Sequence, residues 1–211
     1  LRGLRLRCRL VATDSDIKRV LRPLHPGDRG RSGRVGSGCL MVSEKTGDVV
    51  YTPDWCAKDM VDHFAPSGVV LDPCRGLGAF HDLLPEGSPW CEITDGSDFF
   101  DWSEPVDWVI GNPPYSLTRK WFAHSYTIAE HLVYLIPLRN FFSGYGFVRD
   151  LHEWGGIREI RCYGTGNRLG FPMGNAVGAI HAESGYRGPS SFTFYDQLAT
   201  SPPLFDTEAR R

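Results

Sequence analysis

Apolar runs alternate with helical repeats along most of this chain. The predicted strands are short apolar runs, as in strands that a sheet buries on both faces, and they lie at 69–71, 90–93, 108–110 and 131–136. Between them, apolar side chains recur every three or four residues and predict helices over 53–65, 117–130 and 147–154, with a short helix through Leu83 and Leu84. Two further strands, 157–162 and 176–181, are close enough in sequence to pair antiparallel. This alternation predicts an α/β domain of three layers.

The first predicted helix has a clear start and one apolar face. Thr52 is a suitable N-cap, and Pro53 is expected at the first helical position, where its missing N–H costs nothing. The apolar face then consists of Ala57, Met60, Val61 and Phe64.

Composition is that of a globular protein. The chain has 211 residues, 41% hydrophobic and 23% charged, which is enough for one domain with a sizeable core. The sequence contains no apolar stretch of membrane-spanning length, and no secretory leader is recognised. Its six cysteines are scattered without metal-ligand spacing. We therefore expect reduced thiols in a cytoplasmic protein that binds neither a metal nor a membrane.

Charge divides the sequence into two unlike parts. Residues 1–40 contain ten Lys and Arg against three Asp and are rich in Gly, so a disordered basic tail is expected there. This tail is either an arm for nucleic-acid phosphates or a segment foreign to the native protein, since the first Met is Met41. We expect one domain over 41–190 and a C-terminal tail over 191–211. Beyond residue 40, thirteen basic residues face twenty-two acidic ones, unlike an autonomous DNA-binding domain.

A glycine-rich turn follows the first predicted strand. It reads Asp72-Pro73-Cys74-Arg75-Gly76-Leu77-Gly78-Ala79-Phe80. Glycines at this place allow the backbone to approach a ligand closely. The Gly-Lys-Ser/Thr of a phosphate loop does not follow, so the turn is of another kind.

Two acidic residues follow at positions that suit the binding of a nucleoside. Glu92 lies twenty residues after Asp72, at the end of the next predicted strand, where a carboxylate can accept hydrogen bonds from both ribose hydroxyls. The alternative for Glu92 is a solvated strand end. Asp98 is suited to the amino group of an adenine, and the backbone N–H of Phe99 to a ring nitrogen. Asp95 competes with Asp98, and spacing does not distinguish them.

The segment Asn112-Pro113-Pro114-Tyr115 follows a buried strand, where a parallel sheet opens to ligands. Its two prolines remove two backbone donors and stiffen the turn. The turn therefore presents the Asn112 amide, the Pro113 carbonyl and the Tyr115 ring. Two acceptors and a ring suit a planar substrate that carries an amino group. Taken alone, the same tetrapeptide is also an ordinary turn.

These segments together resemble class I S-adenosylmethionine-dependent methyltransferases that act on the N6 amino group of adenine. The resemblance is carried by the turn from Asp72 to Phe80 and by the Asn-Pro-Pro-Tyr segment, and it covers about residues 48–183. It implies a Rossmann-like methyltransferase fold with a mostly parallel, seven-stranded sheet. In that family the last strand is reversed, which agrees with the C-terminal antiparallel hairpin predicted above.

The resemblance also implies a cofactor, a substrate and a set of site residues. The cofactor is S-adenosylmethionine and the substrate an adenine in DNA, flipped out where the DNA is a duplex. Asn112 and Pro113 are expected to accept hydrogen bonds from the adenine amino group while Tyr115 stacks on the base. Pro114 is assigned to substrate binding, together with Phe171, for which packing of its own loop is the alternative. The residues assigned to the cofactor are Tyr51, Thr52, Pro53, Asp72, Pro73, Gly76, Gly78, Phe80, Glu92, Asp98 and Phe99.

Target recognition is where the chain departs from this family. The large recognition region of many DNA adenine methyltransferases is not recognised in the sequence. Recognition is therefore expected from loops that carry Arg139, Arg149 and Arg168, from a separate specificity subunit, or from relaxed specificity. RNA adenine methylation, methylation of a protein glutamine, which offers a similar planar amide, and a cofactor-binding module without turnover are the alternatives.

Overall fold

The computed structural model describes residues 50–171 and 174–195, without the side chain of Arg168. The basic tail expected over 1–40 lies outside the described residues, as does most of the expected C-terminal tail.

Four α-helices lie within the described ranges. They are α1 (Asp54–Phe64), α2 (Thr118–Ile128), α3 (Leu138–Phe141) and α4 (Tyr145–Trp154). Short 3-10 turns occur at His81–Leu83, Ile93–Asp95, Phe99–Asp101, Tyr115–Leu117 and Gly166–Leu169. The three long helices agree with the predicted ones, and the short helix predicted near Leu84 is a single 3-10 turn. Among the described residues, no helix has the length and apolar character needed to cross a membrane.

The strands form one mixed sheet. They are β1 (Val70–Leu71), β2 (Val106–Gly111), β3 (Ala129–Pro137), β4 (Gly155–Thr165), β5 (Ala176–Ser184) and β6 (Ser191–Phe194), in the order β1-β2-β3-β5-β4-β6. β1, β2 and β3 are parallel, and β6 is parallel to β4. β5 lies antiparallel between β3 and β4. The predicted α/β class is therefore confirmed.

The strand count differs from the expectation. The described residues form six strands, whereas the resemblance implies seven. The strand predicted over 90–93 is reduced to one parallel bridge between Asp72 and Trp90, because the chain turns into a 3-10 helix at Ile93. In addition, the tail expected from residue 191 begins with β6, which pairs with β4. The reversed strand β5 is consequently followed by another strand.

Residues on β2 and β3 alternate between two cores. Val109, Leu132 and Tyr134 face a core that includes Phe122 of α2 and Leu151 of α4. Their neighbours face the opposite core, which includes Met60 of α1: these neighbours are Trp108, Ile110, Val133 and Leu135. The sheet is thus covered on both faces, which gives three layers.

The start of α1 differs from the prediction. Its N-cap is Pro53 rather than Thr52, and no side chain caps the helix. The Thr52 hydroxyl instead accepts a hydrogen bond from the side chain of Asn112, 60 residues later in the chain. The helix begins at Asp54, one residue later than the local signal predicts, so Thr52 lies outside the cap position.

Candidate active site

The site lies at the carboxyl ends of β1 and β2, which adjoin in the sheet. Asp72 follows β1 and is fully buried, and one of its carboxylate oxygens accepts a hydrogen bond from the Cys74 N–H over 3.1 Å. Burial raises the pKa of Asp72 to about 7, while hydrogen bonds from the backbone of Cys74 and His81 oppose that shift. Near neutral pH this carboxyl is therefore partly protonated.

Backbone geometry explains the glycines of the first turn. Gly76 and Gly78 have φ values of +51° and +92°, in the region that side chains disfavour. A Cβ on Gly78 would also lie 2.9 Å from the Asp82 carboxylate. The ring of the exposed residue Tyr51 lies 3.9 Å from the Cβ position of Gly76. The segment before α1 and the glycine turn therefore form one surface.

Glu92 connects this turn to the next segment of chain. Its Oε2 accepts a hydrogen bond from the Gly76 N–H over 2.8 Å. Its Oε1 accepts hydrogen bonds from Thr94, both from the N–H and from the hydroxyl. Two apolar side chains beside it, Leu77 and Ile93, are 78% and 69% exposed. Ile93 was not among the predicted site residues, although an apolar residue directly after the candidate ribose acid was a usable signal.

The side chains of Asp98 and Phe99 differ in their exposure to solvent. The Asp98 carboxylate is half-buried and accepts a hydrogen bond from the Phe100 N–H over 3.0 Å. The Phe99 ring is buried and stacked on Trp121, with ring centroids 4.5 Å apart. Phe99 as a whole is 2% exposed, so its ring is not available to a ligand. Asp95, the competing acid, is exposed in the turn Ile93–Asp95.

The Asn112 side chain has a defined orientation. Its Nδ2 donates to the Val50 carbonyl over 2.9 Å and to the Thr52 hydroxyl over 3.0 Å. Because a carbonyl oxygen only accepts, these partners identify the nitrogen of the amide. The opposite atom, Oδ1, is buried and has no hydrogen-bond partner among residues 50–171 and 174–195. Val50 was missed by the sequence analysis, because a backbone carbonyl has no sequence signature.

The turn after β2 packs directly against the turn after β1. A Cβ on Gly111, the last residue of β2, would lie 3.0 Å from the ring of Pro73. The Cys74 thiol donates to the backbone carbonyl of Asn112 over 3.3 Å. Pro113 is buried and Pro114 half-buried beside this contact. The candidate cofactor turn and the candidate acceptor turn are therefore one structural unit.

Tyr115 lies half-buried at the far side of this unit. Its backbone carbonyl accepts hydrogen bonds from the Thr118 hydroxyl over 2.8 Å and from the Asn140 amide over 3.2 Å. A groove of about 380 Å³ opens beside it, and its lining residues are Tyr115, Ser116, Leu117, Thr118, Arg119, Lys120, Asn140 and Ser143. Asn140, which follows β3, was not selected from the sequence.

The aromatic rings of two predicted ligand-binding residues are buried in the core and do not face the site. The rings of Phe80 and Phe171 are each 3% exposed and pack in the same core as Met60 of α1. Neither ring faces the open surface of the site, because the apolar face of α1 provides a better environment than water. For Phe171, the structure thus favours the alternative of loop packing. Pro53 lies near this loop, with its ring 4.0 Å from the Cβ position of Gly170.

No group of three or more His, Cys, Asp or Glu side chains is positioned to hold a metal ion in the part of the chain that the structure describes.

Comparisons identify the fold. The sequence matches no family model and no curated protein. Among solved structures, a methyltransferase subunit of a type I restriction-modification system from Streptococcus thermophilus has a TM-score of 0.55 at 16% identity, over 72% of this chain and 48% of its own. A protein assigned as a class I S-adenosylmethionine-dependent methyltransferase from Listeria monocytogenes has a TM-score of 0.52 at 13% identity. The match covers 70% of this chain and 66% of that protein.

A modification subunit assigned to a type I restriction enzyme of Vibrio vulnificus is also similar. Its TM-score is 0.50 at 13% identity, over 77% of this chain and 49% of its own. The chain therefore spans about half the length of the two modification subunits. At these identities the similarity establishes the fold, which is the mixed α/β fold of these methyltransferases.

Proposed function

We propose that this chain is an S-adenosylmethionine-dependent methyltransferase that acts on the N6 amino group of adenine in DNA. The observation that supports this most is the orientation of Asn112, whose Nδ2 is held by Val50 and Thr52 while its buried Oδ1 has no partner in the described part of the chain. A buried carbonyl oxygen without a hydrogen bond is costly, so an N–H donor from a substrate is its natural partner.

The residues around the glycine turn suit the cofactor. Glycines 76 and 78 have left-handed backbone conformations that shape the turn, and the Glu92 carboxylate lies against it. Each carboxylate oxygen accepts more than one hydrogen bond, so Glu92 can hold ribose hydroxyls while it keeps the Gly76 N–H. Asp98 is assigned to the adenine amino group and the exposed Ile93 to an apolar contact with the ring. When bound, S-adenosylmethionine supplies a methyl group on a positively charged sulfur.

The protein's own task is to position the acceptor nitrogen. The lone pair of an adenine amino group is delocalised into the ring, so the group is a poor nucleophile. Asn112 Oδ1 and the Pro113 carbonyl are proposed to accept its two N–H groups and to orient the lone pair. Tyr115 holds the base by stacking, which is worth about 1–3 kcal/mol. Positioning provides most of the catalysis, because the amino group needs no strong base before it attacks.

A partner is proposed for target recognition. Two of the similar solved structures are subunits of type I restriction-modification systems, and this chain spans about half of their length. We infer that recognition of a target sequence comes from a separate specificity subunit, with the described chain as the part that carries the methyl transfer site.

Methyl transfer with parallel substrates tests this function. The full chain is incubated with tritiated S-adenosylmethionine and DNA, RNA or protein. Nucleic-acid products are digested to nucleosides and protein products to peptides for mass spectrometry. We expect N6-methyladenine from DNA. Label in glutamine, or label in RNA but not in DNA, would contradict the proposal.

A further inference from the structure

Three basic side chains close to the acceptor turn have no ion-pair partner among the described residues, unlike several other described Lys and Arg. Five other described Lys and Arg side chains pair with carboxylates or backbone carbonyls: Lys58 with Asp62, Arg149 with Asp150, Arg158 with Glu183, Arg161 with Asp59, and Arg187 with Gly155. Arg75 instead lies over the ring of Trp90, 4.9 Å from its centroid. In contrast, Arg119, Lys120 and Arg139 are exposed and form no ion pair with a described carboxylate. Their charges are available to an anionic ligand.

These cations lie on elements that leave neighbouring strands. Arg119 and Lys120 are in the first turn of α2, directly after the Tyr115 turn, and both line the groove of about 380 Å³. Arg139 is in α3, which follows β3, and the next residue, Asn140, lines the same groove. Because β2 and β3 are parallel neighbours, both elements begin at the same edge of the sheet as Asn112.

Two exposed aromatic rings adjoin the cations. Phe142 and Tyr145, in the stretch from α3 to the start of α4, are 57% and 84% exposed. The Arg119 guanidinium lies against the residue before Tyr145, with Nη2 2.8 Å from the Cβ position of Gly144. Cations and rings therefore share one surface beside the groove. This combination is characteristic of proteins that bind single-stranded nucleic acid, where phosphates meet cations and bases stack on rings.

We propose that this surface, formed by Arg119, Lys120, Arg139, Phe142 and Tyr145, binds an unpaired stretch of the substrate strand next to the acceptor base. The inference rests on the proposed function and specifies the form of its substrate. Bases in a duplex have both faces covered by their neighbours, so Phe142 and Tyr145 can stack only on unpaired bases. A substrate that is already unpaired also avoids the few kcal/mol needed to flip a base out of a duplex.

Binding of labelled oligonucleotides to the full chain tests this surface. Fluorescence anisotropy is measured from about 50 to 200 mM salt with single-stranded DNA, the same sequence as RNA, and duplex DNA. We expect single strands to bind at least about tenfold more tightly than the duplex. The double variant Arg119→Gln/Lys120→Gln should lower the slope of log K against log salt by about 1.4, which is about 0.7 for each lost phosphate contact with a single strand. Tyr145→Ala should weaken binding roughly 5- to 150-fold, the effect of one lost base stack.

Matched variants control for charge and exposed apolar area. Lys58→Gln removes an exposed cation on α1, and Phe192→Ala removes an exposed ring on the edge strand β6. Both should bind like the wild type. The basic residues 1–40 are present in every variant, so their contribution cancels in each comparison.

The outcomes separate this inference from the proposed function. The proposed binding surface is wrong if duplex and single strand bind equally, or if both site variants bind like the wild type. If the wild type methylates DNA while the Arg119/Lys120 and Tyr145 variants keep its KM and salt dependence, the surface is wrong and the function stands. If single-strand binding depends on these residues but the methyl group goes to a protein and not to DNA, the surface stands and the proposed function fails. RNA bound more tightly than DNA retains the surface and changes the substrate.

Discussion

The side-chain nitrogen of Asn112 donates to the backbone carbonyl of Val50 over 2.9 Å. This bond connects the turn after β2 with the segment before α1, 62 residues earlier in the chain. Since the Val50 carbonyl can only accept, the bond determines which end of the Asn112 amide is left for a ligand. The proposed methyl-acceptor site thus depends on a tertiary contact outside the Asn-Pro-Pro-Tyr segment.

Replacement of Asn112 by Ala should abolish methyl transfer while S-adenosylmethionine still binds. The substitution removes the Oδ1 acceptor and also two hydrogen bonds, so a stability loss of about 1–3 kcal/mol is expected. Turnover is measured with tritiated cofactor and cofactor binding by calorimetry. Asn167→Ala, at an exposed position in the turn Gly166–Leu169, is the control and should retain activity. Turnover unchanged by Asn112→Ala would exclude the proposed mechanism.

Replacement of Asp98 by Ala should weaken cofactor binding by about 1.5–3 kcal/mol, as for a lost hydrogen bond to a charged group. The exposed Asp95, three residues earlier, provides the matched variant Asp95→Ala, which should bind the cofactor like the wild type. Calorimetric titration of both variants measures the difference. The reverse result, with only Asp95→Ala weakened, would transfer the adenine contact to Asp95.

Replacement of Gly111 by Ala should destabilise the fold by about 1–3 kcal/mol, a typical cost of overpacking. The added Cβ would lie 3.0 Å from the Pro73 ring, which cannot rotate away because it is part of the backbone. Urea unfolding measures the loss. Gly174→Ala is the control, since no atom lies within 4 Å of its Cβ position. Equal stability of the two variants would show that the two turns can separate without cost.

Asp72→Asn should change the pH dependence of stability. Burial raises the pKa of Asp72 to about 7 from an ordinary value of 3.8, so between these pH values the folded protein binds more protons than the unfolded chain. The contribution of Asp72 to the free energy of unfolding therefore falls as the pH rises from about 4 to about 7. An Asn at this position does not titrate, so it makes no such contribution. The stability of Asp72→Asn relative to wild type should increase from pH 4 to 7 and then level off.

Urea unfolding across this pH range measures that difference. His181, whose pKa burial lowers to about 4, is common to both proteins, so its contribution cancels. Asp101→Asn, at an exposed carboxylate, controls for the general loss of one negative charge. A stability difference between Asp72→Asn and wild type that is constant with pH would contradict a raised pKa for Asp72.

Local sequence patterns were enough to predict the main elements and the order of the turns. Apolar periodicity predicts α2 over 117–130 and β3 over 131–136, and the structure has Thr118–Ile128 and Ala129–Pro137. Pro113 and Pro114 end β2 wherever the strand is packed, because prolines cannot donate to a sheet. These features follow from neighbouring residues alone, so they were predictable without a tertiary structure.

Which side chains the site presents depends on tertiary contacts. Thr52 is a capping residue by its local sequence, yet it binds Asn112. Phe171 was a candidate for stacking on the substrate, with loop packing as the alternative, and it is buried in the core that includes Met60 of α1. The second predicted strand is reduced to the bridge at Trp90. For Thr52 and Phe171 the outcome depends on a partner far away in sequence. The free energy of burying a ring or pairing an amide comes from that partner, and a local pattern contains no information about it.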